Sequence, residues 1–107
     1  MSPPNPKNEP PPGAGLPGPG LIDANVLVYA FDADSPQHRA SRALLDAARN
    51  RFTTLFVTSQ VLCEFYSIVT NARRVPNPRS SADASNAISS LLSFLQVLPI
   101  PASAVEV

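Results

Sequence analysis

Two carboxylates stand out because each lies among apolar residues. Asp23 interrupts the apolar stretch 21–31, and Glu64 lies within the largely apolar segment 59–69. A carboxylate in such surroundings is destabilising unless a hydrogen bond, a cation or water compensates it. Asp23 is suited to be the N-cap of a helix that begins near Asn25. Glu64 is equally suited to the edge of a buried helix face with its head in water. The residues alone leave these structural roles and a functional role open.

The only histidine and the only cysteine are weaker candidates for chemistry. His38 falls in the first turn of a predicted surface helix, where we expect it to face solvent or cap a helix. Cys63 is typical of inert packing in an apolar helix, which argues against a cysteine nucleophile. A single cysteine also excludes an internal disulfide and a cysteine-rich metal site. Asp32 and Asp34 precede Ser-Pro and are expected to serve the N-terminus of the next helix.

Composition divides the 107-residue chain into a tail and one folded domain. Residues 1–20 contain eight of the thirteen prolines and all four glycines, which predicts a disordered tail without the apolar core of a secretory signal. Residues 21–107 are left to fold. Eight basic and eight acidic side chains give a net charge of zero, so bulk charge does not indicate tight non-specific binding to nucleic acid. No apolar segment reaches the ~18–20 residues that span a bilayer. We therefore expect a cytoplasmic protein with no membrane partner.

Hydrophobic periodicity predicts alternating strands and helices. Residues 21–31 fit either one strand or a short strand ending at Asp23 followed by a helix. Residues 35–50 predict a helix with Ser35 as N-cap, Pro36 as its first residue and an Arg42–Asp46 pair outside. Its expected inward residues are Ala40, Ala43, Leu44, Ala47 and Ala48.

The second half continues the alternation. The predicted elements are a strand at 54–57, a helix at 59–74 capped by Thr58 or Ser59, a helix beginning at Ser80 or Ser81, a strand at 97–100 and a helix beginning near Ser103. Short apolar strands between amphipathic helices indicate a parallel sheet covered by helices. Ligands of such sheets bind beyond the carboxyl ends of the strands. Asp23 follows one such end, and the helix that carries Glu64 leaves from another.

Four segments, taken together and in this order, resemble PIN-domain proteins, specifically the ribonuclease toxins of VapC-type toxin–antitoxin pairs. They are LIDANVLVYAFD, DSPQHRASRALL, VTSQVLCEFYSIVTNARRVPNP and the following Ala/Leu-rich helix with VLPI. The resemblance runs from Leu21 to the end of the chain. It implies a three-layer α/β/α sandwich with a parallel sheet, and it favours the strand-then-helix interpretation of residues 21–31.

The resemblance also implies metal-dependent hydrolysis of RNA phosphodiesters. Asp23 and Glu64 match the family's metal-binding acids, Asn25 matches a polar position that shapes the site, and Thr58 and Ser59 match hydroxyl positions that line it. The implied cofactor is Mg²⁺ or Mn²⁺, a hard cation held by oxygen ligands. Asp23 would then be a buried anion whose partner is that cation.

The chain departs from the family's pattern at its C-terminal end. Family members supply further acids after the third strand and a further strand beside the first, and neither has a match before Val107. The resemblance therefore implies a domain that is incomplete at the C-terminus, with weak or no activity and an exposed first strand. Its implied partners are an RNA substrate, a cognate antitoxin and, in the full-length form, a second copy. Arg73, Arg74 and Arg79 are candidates to contact phosphate, or are an ordinary solvated loop.

Three functions remain to be separated. The first is a Mg²⁺-dependent endoribonuclease toxin that is inactive or weak as this chain. The second is a non-catalytic remnant that binds an antitoxin or self-associates. The third is a small α/β domain that binds a phosphorylated ligand at Asp23. It is disfavoured because every glycine lies in the tail, so no glycine-rich loop follows the first strand.

Overall fold

The computed structural model describes residues 20–99. Within this range the elements are β1 (Gly20–Leu21), α1 (Ala24–Ala30), α2 (His38–Arg49), β2 (Leu55–Thr58), α3 (Ser59–Val69), α4 (Ser81–Leu92) and β3 (Gln96–Leu98). The strands form one parallel sheet in the order β1-β2-β3. This confirms the predicted α/β class with a parallel sheet. The predicted tail, except Gly20, and the predicted helix near Ser103 lie outside the described residues. Gly20 itself belongs to β1.

The first apolar stretch is a short strand followed by a helix. Asp23 has extended backbone angles and ends the strand segment, and its side chain accepts a hydrogen bond from the Val26 N–H at 3.1 Å. That bond satisfies one of the N–H groups that a helix start leaves unpaired. The N-cap of α1 therefore overrides the strand propensity of VLVYAF.

The register of the sheet aligns the ends of the strands. Leu21 lies beside Phe56, and the Ile22 N–H continues the ladder by donating to the Phe56 carbonyl at 2.9 Å. On the other side of β2, Thr58 lies beside Leu98. Because all three strands are parallel, their carboxyl ends meet at one edge of the sheet, which we call the carboxyl edge.

The core lies between the sheet and the helices. The largest fully buried side chains are Phe65, Leu27, Leu45, Leu55, Leu91 and Val57. Burial of each contributes on the order of 1.5–3 kcal/mol relative to exposure. α1 packs against α2 and α3, and α3 packs against α4. Leu21, on the sheet face opposite Val57, is 62 % exposed, so among residues 20–99 that face has less cover than a three-layer sandwich gives.

Two details of the α2 prediction were wrong. The helix begins at His38, because Ser35 Oγ accepts from the Gln37 N–H and so caps a turn that precedes the helix. Its inward residues are Ser41, Leu45 and Ala48, whereas Ala40 and Ala43 are exposed. Alanine fits either face, and the predicted row followed the alanines. The Arg42–Asp46 pair is present at 3.8 Å.

The remaining elements match their predictions with small shifts. β2 and β3 each differ from the predicted range by about a residue, and Ile100 lies outside the described residues. α3 ends at Val69 rather than near Arg74. Thr70 Oγ1 donates to the Tyr66 carbonyl, and the chain then turns at Asn71. Thr58 and Ser80 are the N-caps of α3 and α4, as expected.

Candidate metal site at the carboxyl edge

Asp23 lies at the carboxyl edge, two residues after β1 ends. The ladder bond from Ile22 places Asp23 level with Thr58 on the neighbouring strand. Adjacent strands are about 4.8 Å apart, so the backbones of these two residues are close. Asp23 is exposed, which corrects the expectation of a buried anion. Oδ1 is occupied by the Val26 N–H, while Oδ2 has no hydrogen bond from residues 20–99.

The three polar candidates Thr58, Ser59 and Asn25 lie at the starts of α3 and α1. Thr58 caps α3 by accepting the Val61 N–H at 3.1 Å, so its hydroxyl stands at the end of β2. Ser59, the first residue of α3, and Asn25, in the first turn of α1, are both exposed. The starts of α1 and α3 therefore bring two hydroxyls and an amide to the edge that carries Asp23.

Glu64 stands on α3 and faces solvent. It is exposed and flanks the buried row formed by Leu62, Phe65 and Val69. Tyr66 Oη lies 2.6 Å from Ser81 Oγ, so α4 packs on the Tyr66 side of α3. At 100° per residue, Glu64 points away from that side. Its carboxylate is therefore left uncovered by α4.

Neither carboxylate is neutralised by a basic side chain of residues 20–99. The ion pairs in this range are Asp46 with Arg42 at 3.8 Å and with Arg49 at 3.9 Å. Gln60, one turn before Glu64, is also exposed and adds an amide to the same flank. The i,i+4 spacing of Gln60 and Glu64 is a sequence signal for this neighbour.

The donor set fits a weakly held hard cation. In the part of the chain that the structure describes, no group of three or more acidic, histidine or cysteine side chains converges to hold a metal ion. Asp23 and Glu64 are nevertheless oxygen donors, and Mg²⁺ is commonly bound by one or two carboxylates with water and substrate phosphate. Asp23 and Glu64 are the residues of this chain that would hold such an ion.

The three candidate arginines differ in their surroundings. Arg79 is half-buried: Nη2 donates to the Phe31 carbonyl at 3.1 Å, and the guanidinium lies over the Phe31 ring, 5.3 Å from its centroid. Arg73 and Arg74 are exposed in the turn after α3. The guanidinium of Arg79 is thus engaged within the fold, whereas those of the other two face solvent.

The single histidine and cysteine lie apart from the carboxylates. His38 Nδ1 is 2.9 Å from the Tyr29 carbonyl, so this nitrogen carries the proton and the ring caps the end of α1, one of its two expected roles. Cys63 is exposed rather than packed in the core, which corrects that expectation. Asp32 Oδ1 accepts the Asp34 N–H and so stabilises a turn rather than the start of α2.

Comparison with known proteins identifies the family of the chain. Ribonuclease VapC43 of Mycobacterium tuberculosis and VapC ribonuclease Mb2897 of Mycobacterium bovis are each 41% identical to the chain over 71 residues, covering 66% of the chain and 48% of the relative. Ribonuclease VapC31 of M. tuberculosis is 41% identical over 69 residues. The chain thus spans about half the length of these curated relatives. The PIN domain matches residues 20–107, and the chain belongs to the PIN-domain family.

Proposed function

We propose that this chain carries part of the active site of a Mg²⁺- or Mn²⁺-dependent endoribonuclease of a toxin–antitoxin pair, with Asp23 and Glu64 as the metal-binding residues. The observation that carries the proposal is the position of Asp23 at the carboxyl edge, level with Thr58, the N-cap of the helix that contains Glu64. The relatives are named ribonucleases, which supports the same chemistry. In this chain we expect the activity to be weak or absent, because two carboxylates make a small ligand set.

In this proposal the side chains of the protein bind the metal ion and orient the RNA. Asp23 offers Oδ2 while Oδ1 stays bonded to the Val26 N–H, so α1 holds the carboxylate in place. Glu64 supplies a second carboxylate from α3. A divalent cation held by these two residues would supply charge stabilisation for a phosphodiester and would lower the pKa of an attacking water. Thr58, Ser59 and Asn25 supply neutral hydrogen-bonding groups around it.

The exposed turn after α3 supplies candidate contacts to the RNA backbone. Arg73 and Arg74 are solvent-facing cations, which position nucleic acid through phosphate without reading sequence. Arg79 has a smaller part in this proposal because Phe31 already engages it. We further propose that the protein binds a cognate antitoxin, forms a homodimer in its full-length form and is located in the cytoplasm. Among residues 20–99 the longest helices have twelve residues, which is too few to span a bilayer.

Metal binding and cleavage test the assignment separately. Mn²⁺ binding to the 107-residue chain is measured by electron paramagnetic resonance, and RNA cleavage in Mg²⁺ or Mn²⁺ by gel electrophoresis. We expect Asp23→Asn and Glu64→Gln each to weaken Mn²⁺ binding by at least about tenfold, because each removes one of two anionic ligands. Any metal-dependent cleavage is expected to disappear with them.

Cys63→Ser is the matched control, since it changes the residue beside Glu64 on the exposed side of α3 without removing a charge. It should leave Mn²⁺ binding unchanged. If the Asp23→Asn, Glu64→Gln double variant bound Mn²⁺ and cut RNA as its parent does, the metal assignment would be wrong.

A second candidate is a non-catalytic chain that binds an antitoxin or a second copy. The exposure of Leu21 on an edge strand and of Val97 and Leu98 on β3 favours it, because such surfaces are commonly covered by a partner. Size-exclusion chromatography and ribonuclease assays on the same sample separate the candidates. A monomer with metal-dependent activity supports the nuclease, and an inactive oligomer supports the binding chain.

A further inference from the structure

A second polar site lies at the opposite edge of the sheet. A cleft of about 480 Å³ opens where β2 and β3 begin and where α2 and α4 end. Its lining residues are Ala48, Arg49, Arg51, Thr53, Thr54, Ser93, Phe94 and Gln96. The lining contains two guanidinium groups, three hydroxyls and one amide, but no carboxylate. This donor set suits an oxyanion.

The backbone at Arg51 is unusual for its residue type. Arg51 has φ 64°, in the left-handed region. Its N–H donates to the Ala48 carbonyl at 3.1 Å, and the Phe52 N–H donates to the Ala47 carbonyl at 2.9 Å. These two bonds form a Schellman motif, whose left-handed position is normally glycine. Arginine adopts this conformation at a greater cost in free energy than glycine does.

The two arginines of the cleft differ in their contacts with the rest of the protein. Arg49 lies over the Phe94 ring at 5.1 Å and makes a long, exposed contact to Asp46 at 3.9 Å. Arg51 is exposed and has no ion-pair partner among residues 20–99. Thr53 Oγ1 is buried without a hydrogen-bond partner in the same range. One fixed guanidinium, one free guanidinium and nearby hydroxyls can together hold a phosphate.

The C-termini of α2 and α4, which lie beside the cleft, partly offset the positive charge of its two arginines. Helix C-termini carry partial negative charge and disfavour anions. At α2, however, the N–H groups of Asn50, Arg51 and Phe52 already bond to the carbonyls of Asp46, Ala48 and Ala47. At α4, the Leu95 N–H bonds to the Leu91 carbonyl. The full charges of the two guanidinium groups therefore set the sign of the cleft.

An exposed aromatic ring stands next to these cations. Phe52 lies in sequence between Arg51 and Thr53, which both line the cleft, and it is 66 % exposed. The apolar residue at this position of a Schellman motif commonly packs back on its helix. Proteins that bind single-stranded nucleic acid combine cations, which hold a backbone phosphate, with an exposed aromatic ring, which stacks on a base. The arginines and Phe52 provide both groups.

We infer that this cleft binds a phosphate of single-stranded RNA while Phe52 stacks on an adjacent base. The inference rests on the proposed function only in taking RNA as the ligand class. The four residues of β2 separate the cleft from the carboxyl edge by about 13 Å. The cleft is therefore a binding site apart from the proposed metal ligands, and it requires no divalent cation.

The test measures binding without metal. Fluorescence anisotropy of a short labelled oligouridylate is recorded with the full chain in EDTA, which prevents cleavage. We expect Arg51→Gly and Phe52→Ala each to weaken binding at least about fivefold, through loss of a charged contact and of a stacking surface. For Arg51→Gly the slope of log affinity against log salt should fall in magnitude by about 0.7. Because glycine suits the left-handed backbone, this variant should also melt roughly 4 °C higher.

Arg39→Ala is the charge-matched control. Arg39 is exposed in the first turn of α2, at the far end of the helix that ends at the cleft. Loss of the Arg39 side chain should change the affinity for the oligouridylate less than twofold, because salt screens the interaction between the RNA and a charge this far from the cleft. Equal loss of affinity in Arg39→Ala and Arg51→Gly would show a general charge effect and overturn the site. Unchanged affinity in Arg51→Gly would overturn it too.

Inorganic phosphate distinguishes RNA from a small anion. Phosphate should shift the amide NMR signals of Thr53 and Thr54, and the oligouridylate should displace it. Phosphate binding without oligonucleotide binding would overturn the RNA assignment. Metal-dependent cleavage by a chain that shows no binding in EDTA would refute this inference and leave the proposed nuclease intact.

Discussion

Asp23 is the N-cap of α1, and the capping hydrogen bond also positions its own side chain. One carboxylate oxygen accepts the Val26 N–H, which fixes both the start of α1 and the orientation of the side chain. A carboxylate has lone pairs on two oxygens, so capping leaves Oδ2 for a cation. The two interpretations that the sequence left open, N-cap and metal ligand, are thus compatible in one residue.

The capping role separates two substitutions at Asp23. Asp23→Ala removes the cap and should lower the free energy of unfolding by about 1 kcal/mol. Asp23→Asn should change it by only a few tenths, since asparagine caps as well as aspartate does. Urea denaturation followed by circular dichroism measures both.

Asn25→Ala is the neighbouring control, because Asn25 lies on α1 and makes no capping bond. Its effect on stability should stay within about 0.5 kcal/mol. An Asp23→Asn variant as unstable as Asp23→Ala would mean that the charge, rather than the hydrogen bond, stabilises α1.

At the scale of elements, the far end of α1 is held by side chains from two other segments. His38 bonds to the Tyr29 carbonyl, and Arg79 bonds to the Phe31 carbonyl and lies over its ring. The Arg79 N–H also donates to the Val69 carbonyl at 2.7 Å, after α3 ends. The loop before α4 therefore ties the ends of α1 and α3 together, and these are the helices that carry Asp23 and Glu64.

Loss of this tie should destabilise the domain. Arg79→Ala should lower the free energy of unfolding by about 1–2 kcal/mol, because it removes a charge-assisted hydrogen bond and a cation–π contact. Arg79→Lys should recover only part of this, since an ammonium lacks the planar fork. Urea denaturation midpoints check the order of the three proteins.

Arg73→Ala is the control for loss of one arginine from the same loop, and we expect a change within about 0.5 kcal/mol. Equal destabilisation by Arg73→Ala and Arg79→Ala would show that the contacts of Arg79 do not specifically stabilise the domain.

Elements were predictable where local chemistry decided them. The caps Thr58 and Ser80 and the alternation of strands and helices follow from short-range patterns. The inward face of α2 was not predictable in this way, because alanine is compatible with core and surface, and the choice depends on which row packs against α1. Arg79 was expected to contact phosphate or to lie in a solvated loop, because its partner Phe31 is distant in sequence.

The candidate metal ligands were proposed from the resemblance more than from their neighbours in sequence. The exposure of Asp23 depends on how few residues follow β1 before α1 begins, which the apolar run did not reveal. The cleft around Arg51 was not predictable from sequence, because its lining joins segments before β2 and after α4.

At the scale of the whole molecule, the described sheet ends in β1. Leu21 is exposed on this edge strand, and Leu98 is exposed on β3. An apolar edge is a surface on which strands of other chains can pair. We expect the chain to self-associate as its concentration rises.

Leu21→Lys should reduce that association, because a charged side chain opposes strand pairing at an edge. Its effect on the free energy of unfolding should stay within about 0.5 kcal/mol, since Leu21 is largely exposed. Sedimentation velocity over a concentration series measures the effect. Leu92→Lys, on α4, is the control, and equal effects of the two substitutions would mean that general charge, not the edge, limits association.

The parallel register also determines when the sheet can form. Gly20 pairs with Leu55 and Phe56 with Gln96, so neither pairing joins segments that are adjacent along the chain. Helices, which need only local bonds, can appear before any strand finds its neighbour. On a ribosome that adds about 5–20 residues per second, β1 waits roughly two to seven seconds for β2 to be synthesised. During that interval β1 has no partner strand, so early binding of a chaperone to this segment should improve the yield of folded protein.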